Sequence, residues 1–446
     1  MQPTAQAGPM RQPRRAAFAA FVGTTIEWYD FYIYATASAL VFGTLFFPRG
    51  DPFYSTLASF GTFAVGFFAR PFGGLVFGHL GDRVGRKKAL VATLVIMGIG
   101  TVGIGFLPTY ASAGAIAPVL LVLLRVAQGI AIGGEWGGAV LMAGEHAPKA
   151  RRTFLASFAQ LGSPAGLILA LLAFRTVGQL PKAQLMDWGW RIPFLLSAVL
   201  LIVGVFIRSG VSESPEFAAA AERAKPAALP IVEVLRNAWR TVLLCLGANV
   251  IGVAGAWFCN TFMLSFATGT LGISRALMLD CLFIVAFVHF FNQLASGWLA
   301  QRVAARKFLA WAAGLAMVSP YPMFMLVSTG KPFAIVIGIA MAVMCMSGSY
   351  AVMAGLMTDA FDVRYRYSAI SLSYQSCAAL AGGLTPLVGT VLAHAWPGQW
   401  WPLAVFYSAL AAVSLVCLLA LPAHRPGSRA PGAAAVPGSG GGPVSM

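Results

Sequence analysis

The sequence predicts an all-α membrane protein of twelve transmembrane helices, built as two six-helix bundles related by pseudo-two-fold symmetry. Three observations predict it. Of 446 residues, 59% are hydrophobic and only 10% charged, with a mean hydropathy of +0.78, whereas a soluble domain carries roughly a quarter charged residues. Apolar runs of about 20 residues, each long enough for ~30 Å of hydrocarbon, can be placed twelve times. A basic segment behind the second run recurs behind the eighth.

In chain order, a tail with three cations (1–16) precedes span 1 (17–43), which is too long for the apolar region of a cleavable signal peptide. Span 2 (55–77) ends at the basic loop 78–88. Spans 3 (89–107) and 4 (118–141) lead to a second basic loop, and spans 5 (153–174) and 6 (191–209) complete the first bundle, 17–209. Residues 210–239 mix both charge signs with Ala and Pro and read as an amphipathic cytoplasmic linker. The second bundle, 240–421, holds spans 7 (240–266), 8 (276–299), 9 (308–328), 10 (333–357), 11 (367–393) and 12 (402–421). The tail 422–446 is rich in Pro, Gly, Ala and Ser and is expected to be disordered.

The net charge of +16 follows the membrane rather than a nucleic acid. With the N-terminus inside, 22 of the 30 Lys and Arg residues fall on inner segments, six on outer loops, and Arg70 and Arg125 within spans. Basic loops stay cytoplasmic, so both termini are expected inside a bacterial-type inner membrane. The six cysteines are scattered singly and show no metal spacing. No metal and no cofactor are expected, and the chain is expected to work as a monomer.

The repeat supports two halves. "GHLGDRVGRKK" (78–88) aligns with "GWLAQRVAARK" (297–307), sharing Gly78/Gly297, Leu80/Leu299, Arg83/Arg302, Val84/Val303 and Lys88/Lys307. Parallel repeats about an axis normal to the membrane put a substrate site between the halves, near the midplane.

These residues carry a family resemblance. "GHLGDRVGRKK" resembles the loop 2–3 signature of the major facilitator superfamily. "GTTIEWYDFYIY" (23–34), "ARPFGG" (69–74), "GGEWGGAV" (133–140), "WGWRIPFLLS" (188–197) and "RYRYSAISLSYQ" (364–375), in this order, resemble its metabolite:H⁺ symporter family. The resemblance implies the superfamily's fold and proton-coupled import of an organic acid (shikimate, 2-oxoglutarate, citrate, aromatic acids) or a zwitterion (proline, betaine).

Loop 2–3 also reads physically. Asp82 follows Gly81 at a tight helix–helix turn, where a carboxylate is favoured by helix N-terminal amides. Arg83, Arg86, Lys87 and Lys88 can pair with carboxylates at neighbouring helix ends, Glu145 among them. The resemblance makes this set a gate that holds the cytoplasmic side shut; a basic loop that only sets topology is the competing reading. The second copy has Gln301 and Ala304 in place of Asp82 and Gly85, a weaker latch. Asp359 and Asp362, near Arg364 and Arg366, are further inner-gate candidates.

Five ionisable groups lie well inside spans: Glu27, Asp30, Arg70, Arg125 and Glu135. A charge facing lipid costs roughly 3 kcal/mol or more, so pairing or a wet cavity is the default. Counting ~1.5 Å per residue from the inner end of each span pairs Asp30 with Arg125 near the midplane. The same count pairs Arg70 with Glu135 nearer the cytoplasm, with Glu27 between the two levels. Arg125, Gln128 and Glu135 form one polar stripe on span 4. A low dielectric favours the protonated acid and a nearby guanidinium favours the carboxylate. Moving that guanidinium, or engaging it with a substrate carboxylate, therefore links proton and substrate occupancy. Asp30 ranks first as proton carrier, Glu27 second and Glu135 third. Static ion pairs that fix helix packing are the competing reading.

Candidate substrate contacts are the polar and aromatic residues at mid-span: Tyr34, Arg125, Gln128, Gln160 and Ser163 in the first half, and Trp257, Asn260, His289, Asn292, Tyr350, Tyr374 and Gln375 in the second. Donors beside an apolar wall suit a small polar organic molecule, and two buried arginines favour a carboxylate on it. Each is equally open to an interhelical hydrogen bond, which is the preferred reading for His289 alone. "LGSPAG" (161–166) partly matches a motif of drug/H⁺ antiporters, against packing or a kink. A proton-coupled exporter is the alternative within transport, and a non-transporting sensor of this fold the next. A membrane enzyme is disfavoured, because the five histidines are dispersed and neither a phosphate loop nor a nucleophile–base pair is present.

Overall fold

The computed structural model describes residues 11–48, 50–84, 86–133, 152–209, 230–300, 302–361 and 366–422, and within these it leaves out the side chains of 11–17, 78–84, 86–87, 152–159, 208–209, 230–232, 358–359 and 366–367. Continuous apolar segments leave the backbone no polar partner but itself, so they form helices. Span 1 runs through Arg11–Ala37, a π-helical turn at Ser38–Phe42 and Gly43–Phe46. Spans 2 to 6 are Pro52–Val84, Arg86–Gly105, Ile116–Gly133, Arg152–Gly178 and Ile192–Ser209. Span 7 begins with Trp239–Ala248 and Val250–Trp257, then passes through a π-helical turn at Phe258–Phe262 to Met263–Gly269. Span 8 is Arg275–Leu299, and span 9 joins Ala305–Val318 to Pro320–Val327 at a 41° bend beside Pro320. Span 10 is Pro332–Ala360 and span 12 Trp401–Ala420. Span 11 joins Arg366–Cys377 through a π-helical turn at Ala378–Gly382 to Gly383–Ala395.

Among the described residues, ten helices are long and apolar enough to cross a membrane, and the bent pair makes an eleventh. The helical run Arg11–Phe46 fills the first of the twelve positions read from the sequence. Within 210–239, the described part includes a helix at Pro230–Asn237.

Helix neighbours reveal the symmetry. In the first half span 1 packs on span 5, 2 on 4 and 3 on 6; in the second, 7 packs on 11, 8 on 10 and 9 on 12. Adding six to each member of the first set gives the second. Between halves, span 5 meets span 8 and span 2 meets span 11, pairs that exchange under the same operation. Spans 6 and 12 are the least buried and expose Val199, Ile202, Phe206, Val413 and Val416, a lipid-facing surface; span 7 is the most buried.

Glycine sets the closest crossings. A Cβ on Gly73 of span 2 would lie 1.8 Å from the Ile130 carbonyl oxygen of span 4, and one on Gly133 would lie 1.9 Å from that of Arg70. The two backbones therefore touch, as small residues allow in lipid. Gly162 and Gly166 also bring span 5 close to span 1, where a Cβ would lie 2.7 Å from the nearest atom of Thr24 or Thr25. "LGSPAG" thus has a packing role against span 1.

Candidate functional site

A pocket lies between the halves. The first half lines it with Trp28, Phe67, Arg70 and Ser163; the second with Gly252, Val253, Ala256, Trp257, His289, Met346, Tyr350, Tyr374 and Ala378. Its free volume is about 10 Å³, room for about one water. Five aromatic residues, Trp28, Phe67, Trp257, Tyr350 and Tyr374, stand in its walls. Trp257 of the second half stacks on Trp28 of the first, with centroids 6.0 Å apart and planes 22° apart. Tyr32, Phe63 and Phe67 surround the same indole at 5.2, 4.9 and 5.4 Å. Trp28 meets Tyr350 edge-on, and the Tyr350 and Tyr374 hydroxyls hydrogen-bond at 3.1 Å.

Beside the pocket lies a buried charge cluster, in which Glu27, Asp30, Arg70 and Arg125 are all within span interiors and buried. The two guanidiniums flank one ring: Arg70 lies 4.3 Å and Arg125 5.0 Å from the Phe31 centroid. Arg70 also stacks on Phe67 at 4.0 Å, and Arg125 on Tyr34 at 3.7 Å. Such contacts hold a cation in an apolar setting while leaving its N–H edges available. Arg70 Nε, Arg125 Nε and Arg125 Nη2 have no hydrogen-bond partner among the described residues. Glu27 is within electrostatic reach of Arg70, and Asp30 of Arg125.

The depth count pairs Asp30 with Arg125, and the two are within electrostatic reach, while the hydrogen bonds described at them run to other groups. Asp30 Oδ1 accepts from Ser197 Oγ of span 6 at 2.6 Å, and Arg125 Nη1 donates to Gln128 Oε1 at 3.1 Å. The count puts Arg70 about seven residues from the inner end of span 2, as the apolar stretch Pro52–Phe77 also does, and at that level Arg70 lines the pocket between the halves. The span-2 helix continues beyond that apolar stretch to Val84. Pro71 removes the N–H that would bond the Phe67 carbonyl, which loosens the helix beside Arg70.

The substrate candidates divide. Trp257, His289, Ser163, Tyr350 and Tyr374 line the pocket. Tyr34 does not: its hydroxyl bonds Thr62 under Arg125. Gln128 donates to Thr101 at 2.7 Å and ties span 4 to span 3. Asn292 bonds Ser347 and the Met344 carbonyl, joining spans 8 and 10. Asn260 donates to the Ala256 carbonyl within its own helix. Gln160 contributes its carbonyl to Gln293 Nε2, and Gln375 Nε2 reaches the Gly133 carbonyl at 3.3 Å, so these two join the halves. Glu135, Glu145, Asp362 and Arg364 lie outside the described residues, as do the side chains of Asp82, Arg83, Arg86, Lys87, Asp359 and Arg366.

Sequence reasoning missed Trp28 and Phe67. An aromatic residue in an apolar run has no periodic mark; the signal available for Trp28 was its place between Glu27 and Asp30 in the span-1 motif.

At the end that the charge count assigns to the outside, several contacts bridge the halves, among them Arg275 Nη2 of span 8 donating to the Gly178 carbonyl of span 5 at 3.5 Å. Arg175 of span 5 forms an ion pair with Asp280 of span 8, and Phe53 of span 2 stacks on His394 of span 11 at 3.8 Å. Both Arg175 and Asp280 are more than a third exposed, so the pair is worth roughly 1 kcal/mol or less. Asp280→Asn is therefore expected to raise outward exposure about two- to fivefold. The readout is the labelling rate of a Ser163→Cys probe by an impermeant thiol reagent. An unchanged rate would show that the pair does not hold the mouth.

Known proteins were compared with the chain. Residues 16–241 match the family model described as sugar (and other) transporter, and 249–440 match that of the Major Facilitator Superfamily. The shikimate transporter of Escherichia coli K12 is 36% identical over 92% of this chain and 94% of its own. The inner membrane metabolite transport protein YhjE of the same organism is 36% identical over 92% and 94%. The proline/betaine transporter of E. coli K12 is 32% identical over 90% and 82%. These relatives are transporters, not enzymes. Among solved structures, a D-xylose–proton symporter matches with a TM-score of 0.75 at 16% identity, covering 93% of this chain and 98% of its own; this likeness concerns the fold alone.

Proposed function

We propose, from the premise that the chain belongs to the major facilitator superfamily and to its metabolite:H⁺ symporter family, that it imports a small carboxylate-bearing metabolite together with a proton by alternating access. It does so as a monomer in the inner membrane, with both termini cytoplasmic and the proton as its sole coupling ion. The observation that carries this reading is the buried charge cluster against the pocket. Among the described residues, Glu27 and Asp30 balance Arg70 and Arg125 to a formal charge of zero. A monoanionic substrate at Arg70 would unbalance it, and protonation of one carboxylate would restore neutrality. In a low dielectric an unbalanced charge is expensive, so the two events favour each other. Asp30 carries the proton in this scheme, with Glu27 the next candidate. The exporter alternative calls for a wide apolar cavity, whereas this lining holds a cation at its wall.

Purified protein in liposomes tests it. Adding a small organic acid outside is expected to drive proton influx above that of protein-free liposomes, with substrate uptake rising as the medium is acidified. Uptake that leaves the internal pH unmoved would overturn the symport reading, and proton-driven extrusion would favour the exporter.

A further inference from the structure

Two buried atoms of span 8, one helical turn apart, lie between the pocket and a bond that joins the halves. His289 and Gln293 stand i, i+4 on one face of the helix and are 2% and 3% exposed. Gln293 Nε2 donates to the Gln160 carbonyl of span 5 at 3.0 Å. A carbonyl only accepts, so this bond fixes the orientation of the amide and leaves Oε1 for another donor. Neither that Oε1 nor His289 Nδ1 has a hydrogen-bond partner among the described residues, although the Gln293 side chain is within reach of the imidazole. The acceptor on span 5 is freed by a proline. Within a helix the Gln160 carbonyl would take the N–H of residue 164, and Pro164 has none. The "LGSPAG" segment thus offers the other half a backbone oxygen that lacks its i+4 donor. His289 and Ser163 line the pocket. In the orientation that the charge count assigns, Gln293 and Gln160 each lie about one turn from these two towards the cytoplasm.

We infer that His289, Gln293 and Pro164 relay occupancy of the pocket to the cytoplasmic closure; the inference rests on the reading of this pocket as the transport site. A neutral imidazole carries one N–H and one bare nitrogen. With the pocket empty, the N–H at Nδ1 serves Gln293 Oε1 and holds the amide on the Gln160 carbonyl. A substrate oxygen that accepts from Nε2 draws the proton, exchanged through pocket water, from Nδ1 to Nε2. The ring stays neutral, and Nδ1 now turns a lone pair towards the lone pairs of Oε1. Two buried acceptors facing each other are costly. The amide turns, its bond to Gln160 is lost, and the cytoplasmic side opens with substrate in place. His289 is a positioning residue in this relay, because it acts on the closure through Gln293.

The reporter is Ala256→Cys, which lines the pocket from span 7. It is labelled from the cytoplasmic side, in inside-out vesicles, by an impermeant thiol reagent and read at that residue by peptide mass spectrometry. Without substrate, Gln293→Leu and Pro164→Ala are each expected to raise labelling about two- to tenfold, the worth of one net hydrogen bond. His289→Gln places its amide near Nε2, leaves Gln293 without a donor and should do the same. His289→Asn places its amide nitrogen near Nδ1 and should keep the unsubstituted rate. Benzoate, succinate and glycine betaine are then added in turn. One that raises the melting temperature is expected to raise labelling of the unsubstituted reporter by a similar factor and to leave His289→Asn unmoved. A merely structural His289 predicts that both variants melt low and label alike, and that result overturns the relay. So does a ligand that binds and leaves inner labelling unchanged. If none of the three binds, the carboxylate reading of the pocket falls and the relay with it. Uptake of a bound ligand without proton movement in liposomes would sink the symport reading alone, since the contrast between the two His289 variants needs no proton gradient.

Discussion

Uphill uptake through an Asp30→Asn variant is expected to fall by roughly 5- to 150-fold, the range of ordinary coupling free energies, while exchange of substrate at equal concentrations persists and loses its pH dependence. Asp30 is 2% exposed and accepts from Ser197 Oγ at 2.6 Å. Asparagine keeps the shape and an oxygen for that hydrogen bond, so the helix contact with span 6 survives. What it removes is the titratable charge near Arg125. Without it the described cluster carries one excess positive charge, which a substrate anion can neutralise with no proton. Binding then persists while the link between proton and substrate is lost. A purely structural Asp30 would behave differently, with exchange and uphill uptake falling together and the melting temperature dropping. Proteoliposome assays of uphill uptake, counterflow and Tm separate these outcomes. Uphill uptake that survives in the double variant Asp30→Asn, Arg125→Gln would remove this cluster from the coupling mechanism.

The architecture was legible because the bilayer imposes it. Span length follows from hydrocarbon thickness, and the repeat "GHLGDRVGRKK" over "GWLAQRVAARK" announced the two halves. The ionisable positions were legible too: a charge in an apolar run must be buried, and Glu27, Asp30, Arg70 and Arg125 all are. Their hydrogen-bond partners were not. Depth counting set Asp30 at the level of Arg125, within electrostatic reach of it, and Arg70 about seven residues from the inner end of span 2, but it gave no sign that Arg70 lines the pocket. Nor does counting supply rotation about each axis, which turns Gln128 towards Thr101 and Asn292 towards Ser347. The Trp28–Trp257 contact joins positions more than two hundred residues apart, and no local pattern encodes it.

The second large effect is expected far from any charge titration. Gly73→Ala and Gly133→Ala should each destabilise the protein by more than the roughly 1–3 kcal/mol of ordinary overpacking, with loss of the monodisperse, folded species in detergent. The reason is what the new methyl meets. A Cβ at Gly73 would fall 1.8 Å from the Ile130 carbonyl oxygen, and one at Gly133 1.9 Å from that of Arg70. Both obstacles are backbone, so no rotamer change relieves them, and spans 2 and 4 must separate. Separation would also displace Arg70 and Arg125, because Gly129 sits against the Gly66 carbonyl and Gly66 against the Arg125 guanidinium. The control lies in the same helix: a Cβ at Gly61 meets nothing within 4 Å. Gly61→Ala should therefore be neutral or mildly stabilising, since alanine exceeds glycine in helix propensity by about 1 kcal/mol. Fluorescence-detected size exclusion with a melting curve compares the three variants. If Gly73→Ala and Gly61→Ala melted alike, spans 2 and 4 would not be in backbone contact, and the support of both arginines would have to come from elsewhere.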